Sequence, residues 1–127
     1  MHASARAIYR ICVGMEGPAQ ARRLVTRELS GLVTAGRLDE LRLMVSELVT
    51  NGIVYGALGR EDTIILELRA SRIVRCEVLD QGPGFTLPDD LDENRGWGLK
   101  LVDRLAERWG VSRSPEGTRV WFESPAS

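Results

Sequence analysis

Between residues 64 and 80 the chain twice alternates apolar and other residues with period two, and that pattern limits its fold more than any other stretch. Ile64, Leu66 and Leu68 alternate with Ile65, Glu67 and Arg69, and a second run places Val74, Cys76 and Val78 on one side before ending at Asp80. Successive side chains of a strand point to opposite faces, so each run predicts a strand with one face turned to a core. The short Ser71-Arg72 break joins the two as a hairpin. A sheet with one apolar face requires a second layer to cover it.

Helical periodicity supplies that layer. Pro18 fits the first turn of a helix whose apolar face is Leu24, Val25, Leu29 and Leu32. After the Ala35-Gly36 break, Leu38, Leu41, Val45, Leu48 and Gly52 predict a second helix from about Asp39 to Tyr55. A third is expected over Gly98–Trp109, carried by Leu99, Val102, Leu105 and Ala106. Ile8–Val13 reads as a first strand, and Val111–Arg113 and Thr118–Glu123 as closing strands around a Pro-Glu-Gly turn. The order β-α-α-β-β-α-β-β predicts an α+β fold, a two-layer α/β sandwich with a mixed, mostly antiparallel sheet and helices on one face.

Composition bounds what such a domain can do. At 127 residues and 43% hydrophobic, the chain can bury a core as one domain, residues 1–127. Its net charge of −1 lacks the basic surplus of a nucleic-acid binder, so no direct nucleic-acid contact is expected. No apolar stretch has the length of a signal peptide or a membrane span, so a cytoplasmic protein with no membrane association is expected. Cys12 and Cys76 lie in apolar runs and read as two buried thiols in a reducing compartment. His2 is the single histidine, which excludes a Ser-His-Asp triad and a multi-histidine metal site. Tyr9, Trp109, Trp121 and Phe122 read as core or interface fillers.

Four short segments carry chemistry. Glu47 and Asn51 are four apart on the second helix and share a face, with Tyr55 one turn further. A carboxylate there can take a proton from a nucleophile, and a neighbouring amide oxygen can hold a hard cation such as Mg2+. The same pair also fits a plain solvated helix face. In Asp80-Gln81-Gly82-Pro83-Gly84-Phe85 a strand delivers a carboxylate into a glycine turn, an arrangement that can read an exocyclic amine or simply form an Asx turn. Arg95-Gly96-Trp97-Gly98-Leu99 places free backbone N–H groups at a helix start, where phosphate is attracted. Gly117-Thr118 brings a hydroxyl into the last strand. No P-loop and no dinucleotide-binding βαβ fingerprint is present.

In order and spacing, SELVTN (46–51), DQGPGF (80–85), GWGLKLV (96–102) and GTRVWFE (117–123) resemble the N, G1, G2 and G3 boxes of the GHKL, or Bergerat-fold, ATPases. The close spacing and the phrase LVDRLAERWGV are similar in particular to the stand-alone anti-sigma factor serine/threonine kinases of bacteria. The resemblance spans about residues 38–123 and implies ATP and Mg2+ as cofactors. It implies Glu47 as general base and Asn51 as the Mg2+ ligand bridging the phosphates. Asp80 would read adenine, with Thr118 nearby, and Gly82 and Gly84 would make room for base and ribose. Gly96, Trp97, Gly98 and Leu99 would wrap the phosphates, with Arg95 and Lys100 offsetting the acidic Asp89, Asp90, Asp92 and Glu93 of the lid.

The resemblance further implies a kinase that phosphorylates an anti-anti-sigma factor of the STAS-domain type, sequesters a sigma factor in a partner switch, and forms a homodimer. Departures from the family pattern are Gly52 where many relatives have alanine, and Tyr55 where many have a basic residue. They keep an alternative open: a sequestering module, dependent on nucleotide or not, without kinase turnover.

Overall fold

The apolar alternation of residues 64–80 folds as expected, into the centre of a five-stranded sheet. The structure is a computed structural model, which describes residues 4–55, 62, 64–80 and 97–127, apart from the side chains of residues 55, 97 and 98. Its elements are β1 (Ala5–Ile11), α1 (Gly17–Leu29), α2 (Ala35–Tyr55), β2 (Ile64–Ala70), β3 (Ile73–Asp80), α3 (Trp97–Leu105), β4 (Arg108–Ser114) and β5 (Gly117–Pro125). The sheet runs β1-β2-β3-β5-β4, and every neighbouring pair is antiparallel. The mixed sheet expected from the sequence is therefore purely antiparallel among the described strands.

One sheet face carries the core. Ile64, Leu66 and Leu68 of β2, Val74, Cys76 and Val78 of β3 and Phe122 of β5 are buried against Leu24, Val25 and Leu29 of α1 and Leu41, Met44, Val45, Leu48 and Val49 of α2. α2 is the hub of the helical layer, packing on α1, on α3 and on β3. Complete burial of a side chain such as Phe122 contributes about 1.5–3 kcal/mol. No helix among the described residues is long and apolar enough to cross a membrane.

The opposite face is a lattice of charge. Directly opposed positions include Arg6 with Arg69, Glu67 with Glu77, and Arg69 with Arg75. Like charges in register destabilise a sheet unless neighbouring opposite charges offset them. Here Glu67 takes Arg6 at 3.0 Å and Arg69 at 3.3 Å, Glu77 takes Arg119 at 3.0 Å, and Glu123 takes Arg75 at 3.1 Å and Arg108. Trp121 lies within this lattice, its ring 4.3 Å from the Arg75 guanidinium and its indole covering Gly110.

Several local expectations shift. α2 begins at Ala35 rather than Asp39, because the Thr34 hydroxyl accepts the Arg37 N–H at 3.3 Å and opens the helix before Gly36. β1 spans Ala5–Ile11 instead of Ile8–Val13, since Ala5, Arg6 and Ala7 pair with Ala70, Arg69 and Leu68. α3 stops at Leu105, and Trp109 pairs with Phe122 in β4 while its indole N–H donates to Asp103 at 2.8 Å. Cys76 is buried, and burial drives its thiol pKa far up, but Cys12 lies exposed beyond the end of β1; both are free thiols. Phe122 alone of the four marked aromatics is fully core. Tyr9 is half-buried and ties β1 to α1, donating to the Glu28 carboxylate and accepting from Arg27 at 2.8 Å.

Candidate active site

The site begins where β3 ends. Asp80 is the last residue of that strand and sits on its core-facing side, only 5% exposed. Its register partners are Ile64 at the start of β2 and Thr118 at the start of β5, the latter 7% exposed. Antiparallel pairing thus sets a carboxylate and a hydroxyl side by side at one end of the sheet. A carboxylate in such a position is costly unless polar groups meet it, which makes it a strong acceptor for a ligand N–H.

α2 covers the same end. A Cβ on Gly52 would lie 3.5 Å from Ile64 Cδ1, so the last turns of the helix rest on the residue that flanks Asp80. Glu47 and Asn51 stand one turn apart on this helix and are both half-buried. Thr50 donates its hydroxyl to the Ser46 carbonyl at 2.8 Å, and Ser46 donates to Leu43 at 2.9 Å, so both hydroxyls serve the helix backbone. In the sequence Gly52 is one of the departures from the family pattern. Gly52 is buried with room for a methyl, since an added Cβ would meet Ile64 Cδ1 in ordinary contact.

α3 closes the third side. Leu99 is buried in the core beside Val102, so any contact it makes with phosphate comes from its backbone and not its side chain. Lys100, its neighbour, is half-buried, and Trp97 and Gly98 form the first turn of the helix. Gly82, Gly84, Arg95 and Gly96 lie outside the described residues, as do the acids at 89, 90, 92 and 93. The described structure therefore gathers Asp80, Thr118 and the second half of α2 at one sheet end, with α3 packed against α2.

The donor set suits a metal–nucleotide complex. Glu47 and Asn51 offer hard oxygen atoms of the kind Mg2+ takes, and no three His, Cys, Asp or Glu side chains cluster among the described residues. Mg2+ is commonly held by one or two protein oxygens with phosphate and water completing its shell.

A family model described as the histidine kinase-like ATPase domain matches residues 16–123. The chain belongs to that family. The matched span of this ATPase domain runs from the residue before α1 into β5, so all the residues gathered above fall inside it. As a histidine kinase-like ATPase domain the chain is an ATP-binding module. A crystal structure of the RsbU and RsbW domains of Rv1364c from Mycobacterium tuberculosis shares its fold, with a TM-score of 0.74 and 15% identity over 95% of this chain. The chain spans 32% of that longer one. No curated protein matches the sequence.

Proposed function

We propose that this ATPase domain is a protein serine/threonine kinase of the anti-sigma type. It phosphorylates an STAS-domain anti-anti-sigma factor and, in a partner switch, sequesters a sigma factor. The observation that carries the reading is the buried Asp80 beside Thr118 at the sheet end, under the helix that bears Glu47 and Asn51. The reading places the domain in the cytoplasm as a homodimer.

The residues divide the work. Asp80 accepts the exocyclic amine of adenine, and its burial favours a base that donates there over one that presents a carbonyl. Thr118 supplies a second polar contact at the same end. Asn51 would hold Mg2+ through its amide oxygen. Glu47 takes the proton of the incoming serine hydroxyl, which requires an approach of about 3 Å. Lys100, with Arg95, offsets phosphate charge, and the backbone of residues 96–99 meets phosphate oxygens at the start of α3. Bound ATP supplies the phosphoryl group. Transfer of that group depends on positioning and charge neutralisation, so a few side chains suffice. A dianionic phosphate on the partner's serine would disrupt a close interface, so modification would release that partner.

Calorimetric titration of Mg-ATP tests the site first. Saturable binding should weaken about tenfold or more in Asp80→Asn and in Asn51→Ala, since each removes a contact to a charged or metal-held group. Labelled phosphate should then pass to serine of an STAS-domain partner and fail to do so with Glu47→Gln. A stable complex with that partner but no incorporated phosphate would replace the kinase by a sequestering module, and transfer to histidine would mark a sensor-kinase activity instead.

A further inference from the structure

The nucleotide site divides its ligand between two layers. Asp80 and Thr118 belong to the sheet and would hold the base, whereas the first N–H groups of α3 belong to the helical layer and would hold the phosphates. Gripping both parts at once requires a fixed distance between sheet and helix.

α3 cannot keep that distance by itself. It has nine residues, short of the roughly 12–15 that an isolated helix needs to persist in water. Leu99 and Val102 sink into the core, the main packing partner is α2, and β4 comes next. Only Ala106 and Glu107 separate α3 from β4, and both are tied, Ala106 N–H to the Val102 carbonyl and Glu107 N–H to the Glu123 carbonyl, each at 2.8 Å. A side-chain bond closes this joint: the indole N–H of Trp109 donates to Asp103 Oδ1 at 2.8 Å.

The two partners sit where such a bond has the most leverage. Asp103 stands in the last turn of α3, where a carboxylate faces the negative end of the helix and is disfavoured, so the indole N–H offsets a placement that the helix alone opposes. Trp109 packs half-buried against the core and pairs with Phe122 of β5, the strand whose second residue is Thr118. The bond therefore joins α3 to the strand that carries Thr118 and, through the register with β3, to Asp80. Eight residue steps at 1.5 Å put the start of α3 about 12 Å from its C-terminal joint. A tilt of about 10° there would carry the start of the helix about 2 Å, beyond the roughly 0.5 Å range over which hydrogen bonds hold.

We infer that Trp109 and Asp103 are positioning residues for the nucleotide, their bond setting α3 against the sheet so that adenine and phosphates are gripped together. The inference rests on the nucleotide site proposed above. Neither residue is among those brought to the ligand, so both act through α3.

The test compares Mg-ATP, titrated by calorimetry, with adenosine, titrated by 1H–15N NMR, on the full chain. Trp109→Phe keeps a ring against the core, and Asp103 is exposed, so neither it nor Asp103→Ala empties the core. Both should weaken Mg-ATP about fivefold while adenosine affinity stays within about twofold, because only the phosphates contact α3. Asp103→Asn should retain wild-type affinity for Mg-ATP, since its amide oxygen still accepts the indole N–H. The double variant Trp109→Phe with Asp103→Ala should bind no more weakly than either single one, as expected of two groups that share one bond. Equal weakening of both ligands would overturn the inference by showing a merely structural role. Unchanged Mg-ATP affinity, additive losses in the double variant, or an Asp103→Asn as weak as Asp103→Ala would each overturn it as well. Wild-type protein that binds neither ligand would instead remove the nucleotide site itself, and the inference with it.

Discussion

Replacing Gly52 by alanine should stabilise the protein. Gly52 lies buried in the last turns of the 21-residue α2, where glycine costs about 1 kcal/mol relative to alanine because the unfolded chain has more backbone freedom to lose. The added methyl would stand 3.5 Å from Ile64 Cδ1, an ordinary van der Waals contact, so no overpacking offsets the gain. With an unfolding entropy of about 2.1 cal/mol/K per residue, 127 residues give roughly 0.27 kcal/mol/K, and 1 kcal/mol becomes a rise of about 4 °C in Tm. Thermal unfolding followed at 222 nm, with urea denaturation in parallel, measures it. The methyl lies about 100° around the helix from Asn51, so Mg-ATP affinity should stay within about twofold. A lowered Tm would refute the argument, since it would mean that α2 and β2 approach more closely than 3.5 Å implies.

Gly110→Ala should act in the opposite direction, because its Cβ would fall 2.8 Å from Trp121 Cζ2 and displace the indole from the Arg75 guanidinium. A loss of about 1–3 kcal/mol and a red-shifted tryptophan emission are expected, and an unchanged urea midpoint would show that the indole has room to yield. Stability should also fall in acid. Hydrogen bonds from Arg108, and then Arg75, hold the Glu123 carboxyl below its usual 4.5 against the cost of its burial. A depressed folded pKa contributes stability that is full above about 4.5 and is lost as pH falls through the folded value. Glu67 acts in the same sense, since Arg6 and Arg69 outweigh a burial that alone would raise it. Urea midpoints between neutral and acid pH should drop less steeply in Glu123→Gln, and identical slopes would count against the ion-pair lattice.

Strong periodicity was legible in the sequence and weak periodicity was not. β2 and β3 follow directly from Ile64, Leu66, Leu68, Val74, Cys76 and Val78, because burying one face of a hairpin demands that alternation. The sequence does not signal the start of β1, because its inward residues Ala5 and Ala7 are too small to mark a buried face. Trp109 follows Leu105 and Ala106 at a spacing helices also use, and only pairing with Phe122 assigns it to the sheet. At the site, a chain pattern could mark Asp80 and Thr118 separately. Their adjacency is a matter of β3–β5 register, a contact across 38 residues that no local pattern encodes.

The sheet order leaves β1 and β4 as the outer strands of the described sheet, each with a row of backbone N–H and C=O groups facing outward. Such rows invite strands from other molecules and are a common start of aggregation. Exposed arginines stand on both borders, Arg6 and Arg10 on β1 and Arg108 and Arg113 on β4. A second copy laid border to border would therefore bring guanidinium groups together before any ladder could close. That protection is electrostatic and shortens with the Debye length, so concentrated stocks in high salt are where edge-to-edge polymers of this chain would first form.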